Sequence, residues 1–200
     1  MRKSISFKKY RMIDLLILTG LLVIFEIITS QAPSWFSENY YISLFFSMSL
    51  IVLMRWNAWS IITIVAGTVV YCLQNQGDLK NYIIYLTGNL FILFNLIWFI
   101  KGKHQFKKSY IVLFYVISGY LFVEIGRSLV ALFFDAPFIA TLIGFLGTDL
   151  LNVLLTLLIV FIVRRQDGVF EDQITYLKRM NEKNEKSESS LEVNKYETYY

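Results

Sequence analysis

The chain has 200 residues, 56% of them hydrophobic, with a mean hydropathy of +0.53 and a formal charge of +4. Apolar usage in soluble domains runs at ~45–50%, so this composition excludes an ordinary water-soluble fold. The basic residues sit beside apolar runs, which reads as membrane topology and not as nucleic-acid binding. Cys72 is the single cysteine and His104 the single histidine, so neither an intrachain disulfide nor a metal site is expected, and no cofactor motif is present.

In chain order, six apolar runs predict an all-α bundle of transmembrane helices: Ile13–Ser30, Tyr41–Met54, Ala58–Leu73, Tyr82–Ile100, Tyr110–Phe134 and Phe138–Val163. A crossing needs about 20 apolar residues. The first, fourth, fifth and sixth runs meet that, and the second and third are shorter. Arg55-Trp56-Asn57 separates those two, which leaves either two short crossings or a hairpin dipping partway; the charge distribution favours crossings. With the N-terminus in the cytoplasm, the inner segments Met1–Met12, Arg55, Lys101–Lys108 and the chain from Arg164 onward hold 17 of the 19 Lys and Arg residues. That asymmetry predicts both ends inside and six passes, a multi-pass protein of a cell membrane. The outer loops hold Glu38, Asp78 and Asp135, with Trp35, Tyr40 and Tyr41 as interface anchors. The run that starts the chain could be taken for a cleaved leader, but Glu26 inside it and Pro33 after it argue against that.

Polar residues recur at helical spacing. Ser60, Thr63, Gly67, Tyr71 and Gln74 share one face of the third run, and Tyr82, Tyr85 and Asn89 one face of the fourth. Thr19, Glu26 and Ser30 align in the first, Tyr120, Glu124 and Arg127 in the fifth, and Thr141, Thr148, Asn152 and Thr156 in the sixth, with Asp149 beside Thr148. Small and hydroxylated residues at such places ordinarily serve helix packing. The charged ones need another reason, because each costs about 2.5–3.5 kcal/mol at a bilayer centre. Glu124 and Arg127, three residues apart, can neutralise each other. Glu26 and Asp149 have no partner on their own helices. Each is neutralised by burial, pairs with Arg127 across the bundle, or faces a ligand.

At a rise of about 1.5 Å per residue, Glu26 lies roughly 6 Å below the outer end of its run, Arg127 and Asn89 about 10 Å, Glu124 about 15 Å, Asp149 about 16 Å and Asn152 about 21 Å. All four charges therefore fall in the outer half. A polar pocket open to the outside would produce that pattern, and its expected lining is Glu26, Tyr71, Gln74, Asn89, Glu124, Arg127, Asp149 and Asn152. Arg127 is expected to neutralise a carboxylate or phosphate. Glu124 and Asp149 are expected to take a cation or hydrogen bonds, and Tyr71 to stack on a ring. Gln74, Asn75 and Gln76 crown the outer end of the third run.

The stretch RWNAWSIITIVAGTVVYCLQ at Arg55–Gln74 and the closing ATLIGFLGTDLLNVLLTLLIVFIVRR at Ala140–Arg165 resemble the substrate-capture (S) subunits of energy-coupling-factor vitamin transporters, nearest the thiamine-type ones. The chain departs from that family in its first run, Ile13–Ser30, which has no alanine where the family carries an Ala-x-x-x-Ala docking pair. The resemblance implies a solute-binding subunit that captures a small vitamin-like molecule from outside. It also implies a membrane coupling subunit with separate ATPases. No Walker A run is present, so ATP hydrolysis would belong to another chain.

No enzyme is expected. Val123–Arg127 is only faintly similar to the Glu-Glu-x-x-x-Arg of membrane-embedded proteases, and no G-x-S-x-G or H-E-x-x-H occurs. The rival expectation is a non-transporting scaffold or assembly subunit of the cell envelope. A capture subunit needs its polar side chains around a void of a few hundred Å3, whereas a scaffold needs them paired. After Val163 the chain turns highly charged. Phe170, Ile174, Leu177 and Met180 predict one short amphipathic helix, and the residues beyond it predict disorder.

Overall fold

The computed structural model describes residues 6–29, 42–75, 77–166 and 168–183, and the Lys107 side chain is not described. The anchors Trp35, Tyr40 and Tyr41, together with Ser30, Glu38, Gln76 and the expected disorder after 183, lie outside the described residues. Seven α-helices follow in order: α1 (Phe7–Thr29), α2 (Phe45–Trp56), α3 (Ile61–Gln74), α4 (Leu79–Asn89), α5 (Ser109–Leu132), α6 (Phe138–Thr148) and α7 (Leu150–Val163). An eighth, α8, spans 173–183. There is no strand among the described residues, so the all-α class expected from the apolar runs is what forms.

Among the described residues, four helical stretches are long and apolar enough to cross a membrane: Phe7–Thr29, Phe45–Gln74, Leu79–Phe99 and Ser109–Leu132. The pair α6 and α7, bent by 49° at Asp149, would make a fifth. The stretch Phe45–Gln74 is not one straight rod. Asn57 takes φ 53 and ψ −131 after the end of α2. A Cβ on Gly67 would lie 3.0 Å from the ring of Phe45, although a straight helix would hold those residues roughly 33 Å apart. The chain therefore folds back at Asn57, and α2 and α3 are two short antiparallel arms.

The contacts make an up-and-down bundle. Thr19 of α1 hydrogen-bonds Thr63 of α3 at 2.8 Å, so these helices run parallel with α2 antiparallel between their ends. α4 continues as a 3-10 helix, Leu90–Phe99, that packs antiparallel on α5 through Asn95 and Ser118. Arg164, just past α7, reaches back to Ser109 at the start of α5. The core is apolar and aromatic, with Leu50, Leu53, Ile64, Ile92, Val112 and Tyr115 fully or almost fully buried. The outer surface of α1 is the reverse, with Met12, Leu16, Ile17, Ile24 and Ile28 exposed, and α7 exposes Leu154, Leu158 and Ile162. A belt of exposed aliphatic residues of this extent suits contact with lipid.

The bend at Asp149 corrects one expectation. Thr141, Thr148, Asn152 and Thr156 do not share a face: Thr148 is exposed while Asn152 and Thr156 are buried. The Thr148 hydroxyl donates to the Phe145 carbonyl at 3.1 Å, a back-bond that tilts a helix. A second correction concerns the tail. Phe170 is not on the face of α8 but precedes that helix and is buried in the bundle, whereas Ile174 and Met180 are exposed.

Candidate functional site: a buried arginine network at one end of the bundle

Arg127 is the hub. Its helix, α5, packs so closely on α4 that only glycine fits at position 88: a Cβ there would come within 2.6 Å of the Arg127 backbone. This approach brings the guanidinium against Asn89, whose Oδ1 accepts from Nε at 2.8 Å. Nη1 donates to Glu124 Oε1 at 3.1 Å, one turn back on the same helix, and to Asp149 Oδ2 at 2.5 Å, across from α5 at the bend. Nη2 makes no hydrogen bond among the described residues. Three rings surround the guanidinium, with centroids at 4.9 Å (Tyr85), 5.5 Å (Phe46) and 5.8 Å (Phe145). Arg127 is 5% exposed and Glu124 not at all. In such surroundings a lone charge would be very costly, and paired hydrogen bonds make it tenable.

From this hub a continuous chain of hydrogen bonds reaches α3, α7, the residues just before α2, and α1. Asn89 Nδ2 donates to Thr68 Oγ1 of α3 at 2.7 Å. Asp149 Oδ1 accepts from Asn152 Nδ2 of α7 at 2.9 Å, and Asn152 Oδ1 accepts the Ser43 amide at 2.9 Å. The Ser43 hydroxyl donates to Glu26 Oε1 of α1 at 2.8 Å, and the Leu44 amide donates to the same oxygen at 3.0 Å. Glu26 is fully buried and stands at the start of α2, where the helix dipole and free amides favour a carboxylate.

Ser43, Phe45, Phe46, Tyr71, Tyr85, Asn89, Arg127, Asp149 and Asn152 line a hollow of about 310 Å3, its open mouth included. Much of that volume is the mouth, and the space between the side chains is narrow. The hollow as it stands admits water and nothing as large as a vitamin.

Of the residues expected at the site, Asn89, Glu124, Arg127, Asp149 and Asn152 meet in one network, and Glu26 joins it through Ser43. Tyr71 lines the hollow, its hydroxyl 3.4 Å from that of Tyr85. Gln74 is exposed near the end of α3 and does not line the hollow. The anions that Arg127 meets are two carboxylates of the chain itself, in place of the expected external carboxylate or phosphate. The packing residues behave as packing: Thr63 bonds α1, and a side chain at Gly67 would strike Leu22. Sequence reasoning missed Ser43, Thr68, Phe46 and Phe145. Tyr85, four residues before Asn89 on one helical face, did carry a signal.

Compared with known protein families, with curated proteins and with solved structures, the chain finds no match.

Proposed function

We propose that this is a multi-pass protein of the cell membrane, with both ends in the cytoplasm, whose outer-end site captures a small polar, vitamin-like solute. On this reading it acts as the binding subunit of an ATP-driven partner complex. One observation carries the reading. Two helices abandon regular α geometry at the two residues, Asn89 and Asp149, through which neighbouring helices hydrogen-bond Arg127. Broken helices whose ends meet at a buried polar site are a recurring way to bind solutes inside membranes, and mid-helix 3-10 segments often mark hinges. The enclosed space is small, so capture requires the broken segments to part. Two carboxylates already face Arg127, so the favoured solute carries no net negative charge. Arg55, Lys103 and Arg164 lie at the far end of the bundle from this site, which supports an outward-facing mouth.

The test is thermal stability of the purified protein with neutral and cationic vitamins and other small polar solutes. A ligand at about 100 times its dissociation constant adds about 2.7 kcal/mol, a readily measured shift. The shift should saturate, and Asn89→Leu should abolish it. The scaffold reading has its own support, because every charge in the outer network already has a partner. Absence of any shift, with stable co-purification of envelope proteins, would favour that reading.

A further inference from the structure

The end of the bundle opposite the Arg127 network is closed by the chain itself. After α7 the segment 168–173 turns back under the helices. Gly168 adopts φ +75, and a Cβ there would strike the Tyr176 ring at 2.6 Å, so the turn is made for glycine. Phe170 then packs edge-on against Phe106 and Tyr115, with ring centroids 6.0 and 6.2 Å away. Four side chains fasten the segment. Arg55, 7% exposed, holds Asp14 of α1 through Nε at 3.0 Å and Nη2 at 2.7 Å, and its Nη1 donates to the carbonyls of Gly168 at 2.8 Å and Val169 at 2.9 Å. Lys103 donates to the Met54 carbonyl at 2.5 Å and to Asp172 at 2.7 Å. Gln173, fully buried, bonds the Gly168 carbonyl, and Tyr10 of α1 donates to Gln173.

The fastening ends on α2. Arg55 lies in its last turn, and Met54 supplies the carbonyl to Lys103. Every residue of α2 except Met48 is buried, so the helix is clamped along its length. Nine residues before Arg55, roughly 14 Å along the helix, Phe46 lies over the Arg127 guanidinium, and Phe45 packs on Gly67. One rigid helix thus touches the strap at one end and the polar network at the other.

We infer that residues 168–173 form a releasable latch: while Arg55 and Lys103 hold the strap, α2 keeps the outer-end network closed, and freeing the strap lets that end open. This does not depend on what the outer site binds, so its test needs no solute. Cys72, the single cysteine, supplies the readout. It follows Tyr71 on α3 at the outer end and is 1% exposed. The full-length protein in nanodiscs is compared with Asp172→Asn, Lys103→Met and Arg55→Lys. The first two leave the Arg55–Asp14 pair in place and guard against simple misfolding. Chymotryptic cleavage after Phe170 measures strap release, and the rate of Cys72 modification by a small maleimide measures opening. Loss of one charge-assisted hydrogen bond should raise cleavage about tenfold, and Cys72 modification should rise in parallel across the three variants. Faster cleavage with unchanged Cys72 reactivity would overturn the latch and leave a local clasp. Unchanged cleavage in all three folded variants would overturn it as well.

Discussion

The backbone of Arg127 lies within 2.6 Å of the point that a Cβ on Gly88 would occupy. The contact is with backbone atoms, which cannot swing aside as a side-chain tip can. Gly88→Ala must therefore push α4 and α5 apart, and it will carry Asn89 away from the guanidinium. Overpacking of a tight core costs about 1–3 kcal/mol, and this substitution should reach the upper end of that range. Thermal unfolding in detergent will show it, with Gly20→Ala, which meets no neighbour and should gain up to ~1 kcal/mol from helix propensity, as the control.

Arg127 and its two carboxylates should behave as one unit. Arg127→Met leaves Glu124 and Asp149 without their cation, and removing one partner of a buried ion pair costs about 3–5 kcal/mol. Adding Glu124→Gln and Asp149→Asn to Arg127→Met should recover much of that loss, because no orphaned charge remains. Stabilities of the single, double and triple variants will give a coupling energy. Strict additivity would mean that the groups do not share one network.

Much of this network was legible at helical spacing. Glu124 and Arg127 are three residues apart, and that alone put them in contact. The polar faces of the third and fourth runs placed Tyr71, Tyr85 and Asn89 toward a common interior. For Asp149, pairing with Arg127 across the bundle is one of three readings that the sequence leaves open, because spacing fixes a face within one helix and says nothing of which helix lies opposite. The bend was hidden for a local reason. Thr148 turns its hydroxyl onto the Phe145 carbonyl, and a threonine reads the same in sequence whether or not it makes that bond. The inward turn at Phe170 was missed because its spacing to Ile174 matched a helical face. The buried Arg55 clasp that draws it in is a tertiary feature with no periodic signature.

Asn57 holds φ 53 and ψ −131 at the fold-back between α2 and α3, a region that suits glycine far better than a branched or bulky residue. Asn57→Gly should leave the protein as stable or raise its stability by up to ~1 kcal/mol, and Asn57→Val should lower it by about 1–3 kcal/mol. Melting temperatures of the two variants will decide this. If both fall equally, the turn is not set by backbone conformation.

The hydrogen bond between Thr19 and Thr63 joins α1 to α3 at 2.8 Å. Such bonds between membrane helices average about 0.6 kcal/mol and reach about 1.7 kcal/mol. Thr19→Val or Thr63→Val alone leaves one hydroxyl unpaired and should cost about that much. The double variant should be nearly as stable as the parent, since both polar groups are gone. Unfolding by denaturing detergent gives the comparison, and a double variant worse than either single one would mean that the hydroxyls serve something other than each other.

The strap should respond to acid and not to base. Burial alone would raise the Asp172 carboxyl. The Lys103 ammonium, with the Thr175 amide and hydroxyl, outweighs that and holds Asp172 below the usual aspartate range. A depressed carboxylate gives stability that is complete above its unfolded value, about 3.9, and is lost as pH falls through the folded value. Burial pulls the Lys103 ammonium below its usual value, and the pull of Asp172 only partly offsets it. Raising the pH through the interval between that lowered value and the ordinary one, about 10.4, favours the folded form, so deprotonating Lys103 does not weaken the fold. Hydrogen exchange of the 168–173 amides, corrected for intrinsic rates, should therefore show protection falling below about pH 4 and holding on the alkaline side. Asp172→Asn should remove the acid limb. An acid limb of undiminished size in that variant would assign the pH response to another group.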